Sequence, residues 1–188
     1  MNVCPPPGSG GAGSFVTDSI KPIYRGRALT LNEERVAFPD GSHGTLEIVR
    51  HPGGAGAVAL DERGRVCLIR QYRYAADGWL WEIPAGRLEP NEAPLLTAQR
   101  ELAEEAGLRA ADWQSLGSLL STPGVCDERI HLYLARELSA APMAHEDEEF
   151  IEIHWVPFPE AIQWACTGKI NDAKTLIALY RVRHCLNP

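Results

Sequence analysis

Hydrophobic and polar positions change period several times along this chain, and each change marks an element. Short alternating runs at Arg27–Leu31, Arg35–Phe38 and Thr45–Arg50, with the turn residues Pro39-Asp40-Gly41 between two of them, predict a small antiparallel meander. Ala57–Leu60 and the strongly apolar Val66–Tyr72 flank Asp61-Glu62-Arg63-Gly64 and predict a β-hairpin, and Trp79–Ile83 predicts another short strand. The period then becomes helical. Leu95, Ala98, Leu102 and Ala106 form an apolar stripe between Asn91, a good N-cap, and Gly107, a favoured residue just past a helix end, with Pro94 tolerated in the first turn. Trp113–Leu120 and Ile130–Glu137 return to strand, divided by the loop Ser121–Glu128. Phe150–Val156 alternates Ile151, Ile153 and Trp155 with other residues, and two helices follow over Pro159–Cys166 and Asp172–Cys185. No internal repeat is visible, and this order of elements predicts an α/β domain.

Composition narrows the setting. The 188 residues, 45% apolar and 23% charged, suit one domain with a sizeable core. Residues 1–18 open on MNVCPPPGSGGAGS, with no basic region and no long apolar run, and read as a flexible Pro/Gly-rich tail rather than a leader. Residues 19–54 then carry the meander and residues 55–188 the main domain. No apolar run approaches the ~20 residues that span a bilayer, so no membrane association is expected. The five cysteines are scattered and never paired as CxxC, which argues against a zinc knuckle or a disulfide framework and places the chain in a reducing cytoplasm. A net charge of -7 disfavours nucleic acid as a partner, and an acidic protein handling an anionic substrate needs bound cations to offset the repulsion.

The candidate chemistry lies on the central helix. Glu101, Glu104 and Glu105 stand at i, i+3 and i+4 and share one face, where like charges destabilise a helix by roughly a few tenths of a kcal/mol per pair. Taken alone, such a trio is ordinarily a solvated face. The cluster makes sense mainly if a cation collects it, so it is read as a site for a divalent cation that seeks oxygen ligands.

Gly86, five residues, Glu92, seven residues, then Arg100-Glu101-Leu102-Ala103-Glu104-Glu105-Ala106-Gly107-Leu108 resembles a complete Nudix box, Gx5Ex7REUxEExGU with U aliphatic. The resemblance implies a Nudix hydrolase: an α/β/α sandwich around a mixed central sheet, here with the small N-terminal antiparallel meander, cleaving a nucleoside diphosphate linked to another moiety with Mg²⁺ or Mn²⁺. It further implies metal ligands at the Ala85 carbonyl, Glu101, Glu105 and, for an additional ion, Glu104. Arg100 then orients a glutamate through a charge-assisted bond. Glu92 either complements the helix dipole or pairs with Arg100.

Outside the box the chain is similar to the ADP-ribose pyrophosphatase branch over about residues 22–185. Pro123, fifteen residues beyond Leu108, Tyr24-Arg25-Gly26, Glu47–Gly53, Arg70-Gln71-Tyr72-Arg73-Tyr74, Trp81–Gly86 and Lys169–Thr175 carry that similarity. It implies ADP-ribose or a related nucleoside diphosphate sugar as substrate, with AMP and a sugar phosphate as products. Arg73 is the candidate diphosphate contact, since a guanidinium fork matches phosphate oxygens; a plain surface arginine is the alternative. Glu82 is placed to bind a ligand hydroxyl or to pair with Arg73. Glu149, then Glu146, are the candidate general bases from the acidic loop. The branch also implies a homodimer through the N-terminal strands, with Arg27 or Glu47 meeting the base. The alternative function is a noncatalytic nucleotide-sugar sensor on the same scaffold.

Overall fold

The computed structural model describes residues 14–143 and 150–186. Two compact units divide the chain, one ending at His51 and the other beginning at Pro52.

The first unit is an antiparallel sheet of three strands, β1 (Val16–Arg25), β2 (Thr30–Ala37) and β3 (His43–Arg50), in the order β1-β2-β3. Its first strand was not expected from sequence, and it claims residues assigned to the tail. Pro22 and register shifts on either side of Ile20 break the alternation that signals a strand, and both are tolerated because β1 is an edge. The runs at Arg27–Leu31 and Arg35–Phe38 are not two strands: β2 takes the last two residues of the first and most of the second. Its inward positions include the buried polar residues Asn32 and Glu34, which disguise one strand as two. Arg50 ion-pairs with Glu34 from β3, with Arg50 Nε donating over 2.9 Å.

The second unit holds a seven-stranded sheet, β10 (Ile151–Pro157), β5 (Arg65–Arg73), β4 (Gly54–Leu60), β9 (Arg129–Ala140) and β8 (Leu108–Leu120), with β6 (Gly78–Glu82) on β5 and β7 (Ala85–Arg87) on β4. Only β4 and β9 pair in parallel, so the sheet is mixed. β4 and β5 pair only through Ala59–Cys67 and Leu60–Val66 and then part. The wedge between them is filled by β6 and β7, and the link Ile83-Pro84 joins one to the other.

Helices cover both faces. α1 (Pro94–Ala106) packs Leu102 and Ala106 onto Ala57, Ala59, Cys67 and Ala135, small residues that let the helix approach closely. On the other face α2 (Phe158–Thr167) and α3 (Ala173–Leu186) bury Phe158, Ala161, Ala178, Leu179 and Val182 against Val58, Val66, Leu68, Ile83, Leu132 and Leu134. The result is the α/β/α sandwich expected. No helix among the described residues is long and apolar enough to cross a membrane.

α1 starts later than Asn91. Pro94 occupies its first turn and bars the helical conformation at the preceding residue, so Ala93 becomes the N-cap with extended backbone (φ -72°, ψ 139°). Asn91 instead takes a left-handed conformation (φ 66°), which asparagine tolerates. Gly107 ends the helix as expected, at φ 63°, its N–H donating to the Ala103 and Leu102 carbonyls.

Candidate active site

The buried side of α1 is both greasy and charged. Glu101 and Glu105 each precede a core residue, Leu102 and Ala106, and are themselves buried, while Glu104 is half-exposed. A buried carboxylate is costly unless hydrogen bonds or positive charge compensate it. Glu105 Oε2 accepts the Ala85 backbone N–H over 2.7 Å, which ties the helix to the link between β6 and β7. The nearby Cys67 thiol is pushed up to about 12 by burial, with the charge of Glu105 adding to it.

Glu101 lies against Gly86. A Cβ at position 86 would collide with the Glu101 carboxylate, so the missing side chain is what makes room for that group. Arg100 then gathers the remaining acids. Its Nη1 donates to Glu101 Oε1 (2.6 Å) and Glu104 Oε2 (2.9 Å), its Nε to Glu92 Oε1 (3.1 Å), and its Nη2 to Glu92 Oε2 and the Arg87 carbonyl (both 3.1 Å). Of the two roles open to Glu92, pairing with Arg100 is the one observed. Those hydrogen bonds, with others from Thr97 and the Glu89 amide, hold its carboxyl down at about 2.

A second charged knot lies at the end of β6. Glu82 is almost fully buried, and Arg73 grips it through Nε and Nη2 at 2.8 Å each, while Lys174 of α3 donates to the same carboxylate. Burial alone would raise the Glu82 carboxyl, but the Arg73 bonds and the Lys174 charge reverse that and bring it to about 2. Arg73 in turn is held protonated first by its bonds to Glu82 and then by the charges of Glu82, Glu105 and Asp172. The knot and the carboxylates of α1 therefore feel one another's fields. Pairing with Arg73, not exposure to a ligand, is where Glu82 is found.

The other predicted residues are more dispersed. Pro123 is exposed in a tight turn where the Val125 and Cys126 amides donate to the Thr122 carbonyl. Arg27 and Glu47 are exposed in the first unit. Glu146 and Glu149 lie outside the described residues. Lys174, Asp172 and Thr175 had been noted only as part of a shared run. Lys174 and Thr175 act on Glu82 and Ile83, 92 residues away in sequence, which no local pattern reveals, and Asp172 joins them through local bonds to both.

Among the described residues, no three His, Cys, Asp or Glu side chains close around one point at coordinating distance. The Arg100 guanidinium bridges Glu101 and Glu104 instead. The donor set nevertheless suits a hard divalent ion: carboxylate oxygens on one helical face, one of them seated in a glycine cradle and one fixed by a backbone amide.

A model of the NUDIX domain matches residues 50–179, taking in both the Gly86 cradle and α1. The chain belongs to the Nudix family. This Nudix protein is 39% identical over 171 residues to an ADP-ribose pyrophosphatase of Mycobacterium tuberculosis, covering 89% of this chain and 83% of that one. It is 37% identical over 165 residues to the methanol dehydrogenase activator of Bacillus methanolicus, covering 87% and 89%. With a GDP-mannose pyrophosphatase of Cronobacter sakazakii it shares 36% over 155 residues, covering 73% and 80%. A crystal structure of an ADP compounds hydrolase has the same Nudix fold, with a TM-score of 0.82 over 95% of this chain and 97% of that chain at 21% identity.

Proposed function

We propose that this Nudix hydrolase cleaves the diphosphate bond of ADP-ribose or a related nucleoside diphosphate sugar, releasing a nucleoside monophosphate and a sugar phosphate. The observation that carries the reading is the seating of two buried glutamates of a complete box, Glu105 on the Ala85 amide and Glu101 in the Gly86 cradle. The similarity to ADP-ribose pyrophosphatases supports the substrate class.

Glu101, Glu105, Glu104 and the Ala85 carbonyl would hold Mg²⁺ or Mn²⁺. When bound, such an ion neutralises diphosphate charge and acidifies a water. The protein's own groups do the rest. Arg100, anchored by Glu92, holds Glu101 and Glu104 in orientation through charge-assisted bonds. Arg73 spends its Nε and Nη2 on Glu82, which leaves Nη1 to meet a phosphate oxygen. The exposed β1 strand supports a homodimer, with Arg27 or Glu47 as the proposed contact to the base.

A panel of ADP-ribose, GDP-mannose and other dinucleoside or sugar diphosphates, incubated with Mg²⁺ and read out by released monophosphate, tests the class. ADP-ribose is expected to be the preferred compound, and cleavage of none overturns the reading. Glu105→Gln can still accept the Ala85 amide, so it is expected to fold and to lose turnover by roughly a hundredfold or more. Wild-type turnover in that variant would remove Glu105 from the mechanism.

A further inference from the structure

Four consecutive residues at the mouth of the wedge are tied between them to β5, α3, β4 and α1. Glu82 is held by Arg73 and Lys174, the Ile83 N–H donates to Thr175 Oγ1 of α3 (2.9 Å), the Pro84 carbonyl accepts the Ala57 N–H of β4 (3.0 Å), and the Ala85 N–H holds Glu105 of α1 (2.7 Å). The tie to α3 is directional. Thr175 carries one hydroxyl proton, which goes to Asp172 Oδ2 (2.5 Å) because a carboxylate at this position only accepts. That orientation leaves a lone pair for the Ile83 amide. The same Asp172 oxygen caps the helix by accepting the Thr175 N–H (2.9 Å), and Asp172 Oδ1 pairs with Lys174 at 3.1 Å.

Between the amide that Thr175 fixes and the amide that holds Glu105 stands only Pro84. Planar peptides and the locked φ of proline leave few free torsions there, so a shift at Ile83 reaches Ala85 instead of being absorbed. Thr175 itself is fully buried beside Ala178 and Leu179, where a valine of the same shape would pack as well.

We infer that Thr175, oriented by Asp172, is a positioning residue for the catalytic centre, setting through Ile83 and Pro84 the Ala85 amide on which Glu105 is seated. The catalytic half of this rests on the hydrolase reading above; the structural half does not.

The test compares Thr175→Val, which removes the relay without changing shape, with Thr175→Ser, which keeps it. Two readouts are taken below the melting temperature: steady-state kinetics on ADP-ribose, and site-resolved amide hydrogen exchange without substrate. Thr175→Val is expected to lower kcat by about tenfold or more with KM within about threefold, as a small misplacement of catalytic groups does, and Thr175→Ser to restore it. Exchange at Ile83 and Ala85 is expected to quicken by about tenfold in the valine variant while the amides of Val66–Ile69 keep their protection. A kcat equal to wild type, or unchanged exchange at Ala85, overturns the inference, because a merely structural threonine would loosen the fold without singling out that amide. Should Thr175→Val fail to fold, Asp172→Ala frees the hydroxyl while leaving it in place. It is expected to move both readouts in the same direction by less, and no change in either overturns the proposal. Should wild type cleave no compound of the panel, the hydrolase reading falls, and the exchange at Ala85 still decides this one.

Discussion

Gly86 lacks a side chain for a chemical reason rather than a conformational one. Its φ is not among the positive values of this chain, so any residue could adopt its backbone; what forbids a Cβ is the Glu101 carboxylate packed against it. The obstacle is the far end of a flexible side chain, which can swing aside at little cost. Gly86→Ala is therefore expected to melt within a few degrees of wild type, since a change well under 1 kcal/mol moves the midpoint little, yet to lose turnover by roughly tenfold or more as Glu101 leaves its seat. A melting scan beside a kinetic assay checks both halves, and a variant that is stable and fully active would show that the cradle has no catalytic meaning. Spacing picked out the three glutamates, because a helix converts sequence interval into direction, whereas Gly86 and Arg100 came from the resemblance to the Nudix box. Neither showed that Glu101 and Glu105 are buried while Glu104 is half-exposed, since that depends on which face of α1 meets the sheet.

The elements divide in the same way. α1, the hairpin β4–β5 and the strand β6 were legible because their periods are clean and their ends are punctuated by Gly107 and by Asp61–Gly64. β1 was not, since a proline and two irregularities erase its alternation, and the start of α1 was misplaced because Pro94 governs the residue before it more strongly than Asn91 invites a cap. Least legible was the docking of α3 on β6, which joins Lys174 to Glu82 over a long stretch of chain. That junction has a thermodynamic signature. The Glu82 carboxyl is lowered in the fold from its ordinary 4.5 to about 2, so its ionised form adds stability that is complete above pH 4.5 and disappears as pH falls through about 2. The size is on the order of 3–4 kcal/mol, since each unit of displacement corresponds to about 1.4 kcal/mol. Denaturant unfolding of wild type and Glu82→Gln across pH 2–7 measures it. The gap between them is expected to be widest near neutrality and to close toward pH 2, where a protonated Glu82 resembles the glutamine. A gap that stays constant with pH would mean that the ion pairs contribute nothing beyond packing.

The proposed homodimer rests on what β1 leaves uncovered. Every residue of that strand is exposed, and Val16 (56%), Ile20 (55%), Ile23 (52%) and Tyr24 (60%) present apolar surface that a lone soluble chain rarely displays in one strand. A second copy is the simplest cover, because a two-fold interface uses the same patch on both partners. Each chain carries a net charge of -7, so two copies already repel at long range and apolar burial has to outweigh that. In such a pair every substitution counts twice. Introducing Ile20→Glu together with Ile23→Glu adds four carboxylates to an interface that is symmetric, and is expected to convert a dimer at micromolar concentration into a monomer by light scattering. If the partner's strands complete the adenosine end of the site, KM for ADP-ribose should rise by about tenfold or more in the monomer while kcat changes less, as loss of uniform binding does. A wild-type protein that is monomeric at those concentrations would leave the exposed strand without this explanation and remove Arg27 and Glu47 from the substrate's reach through a partner.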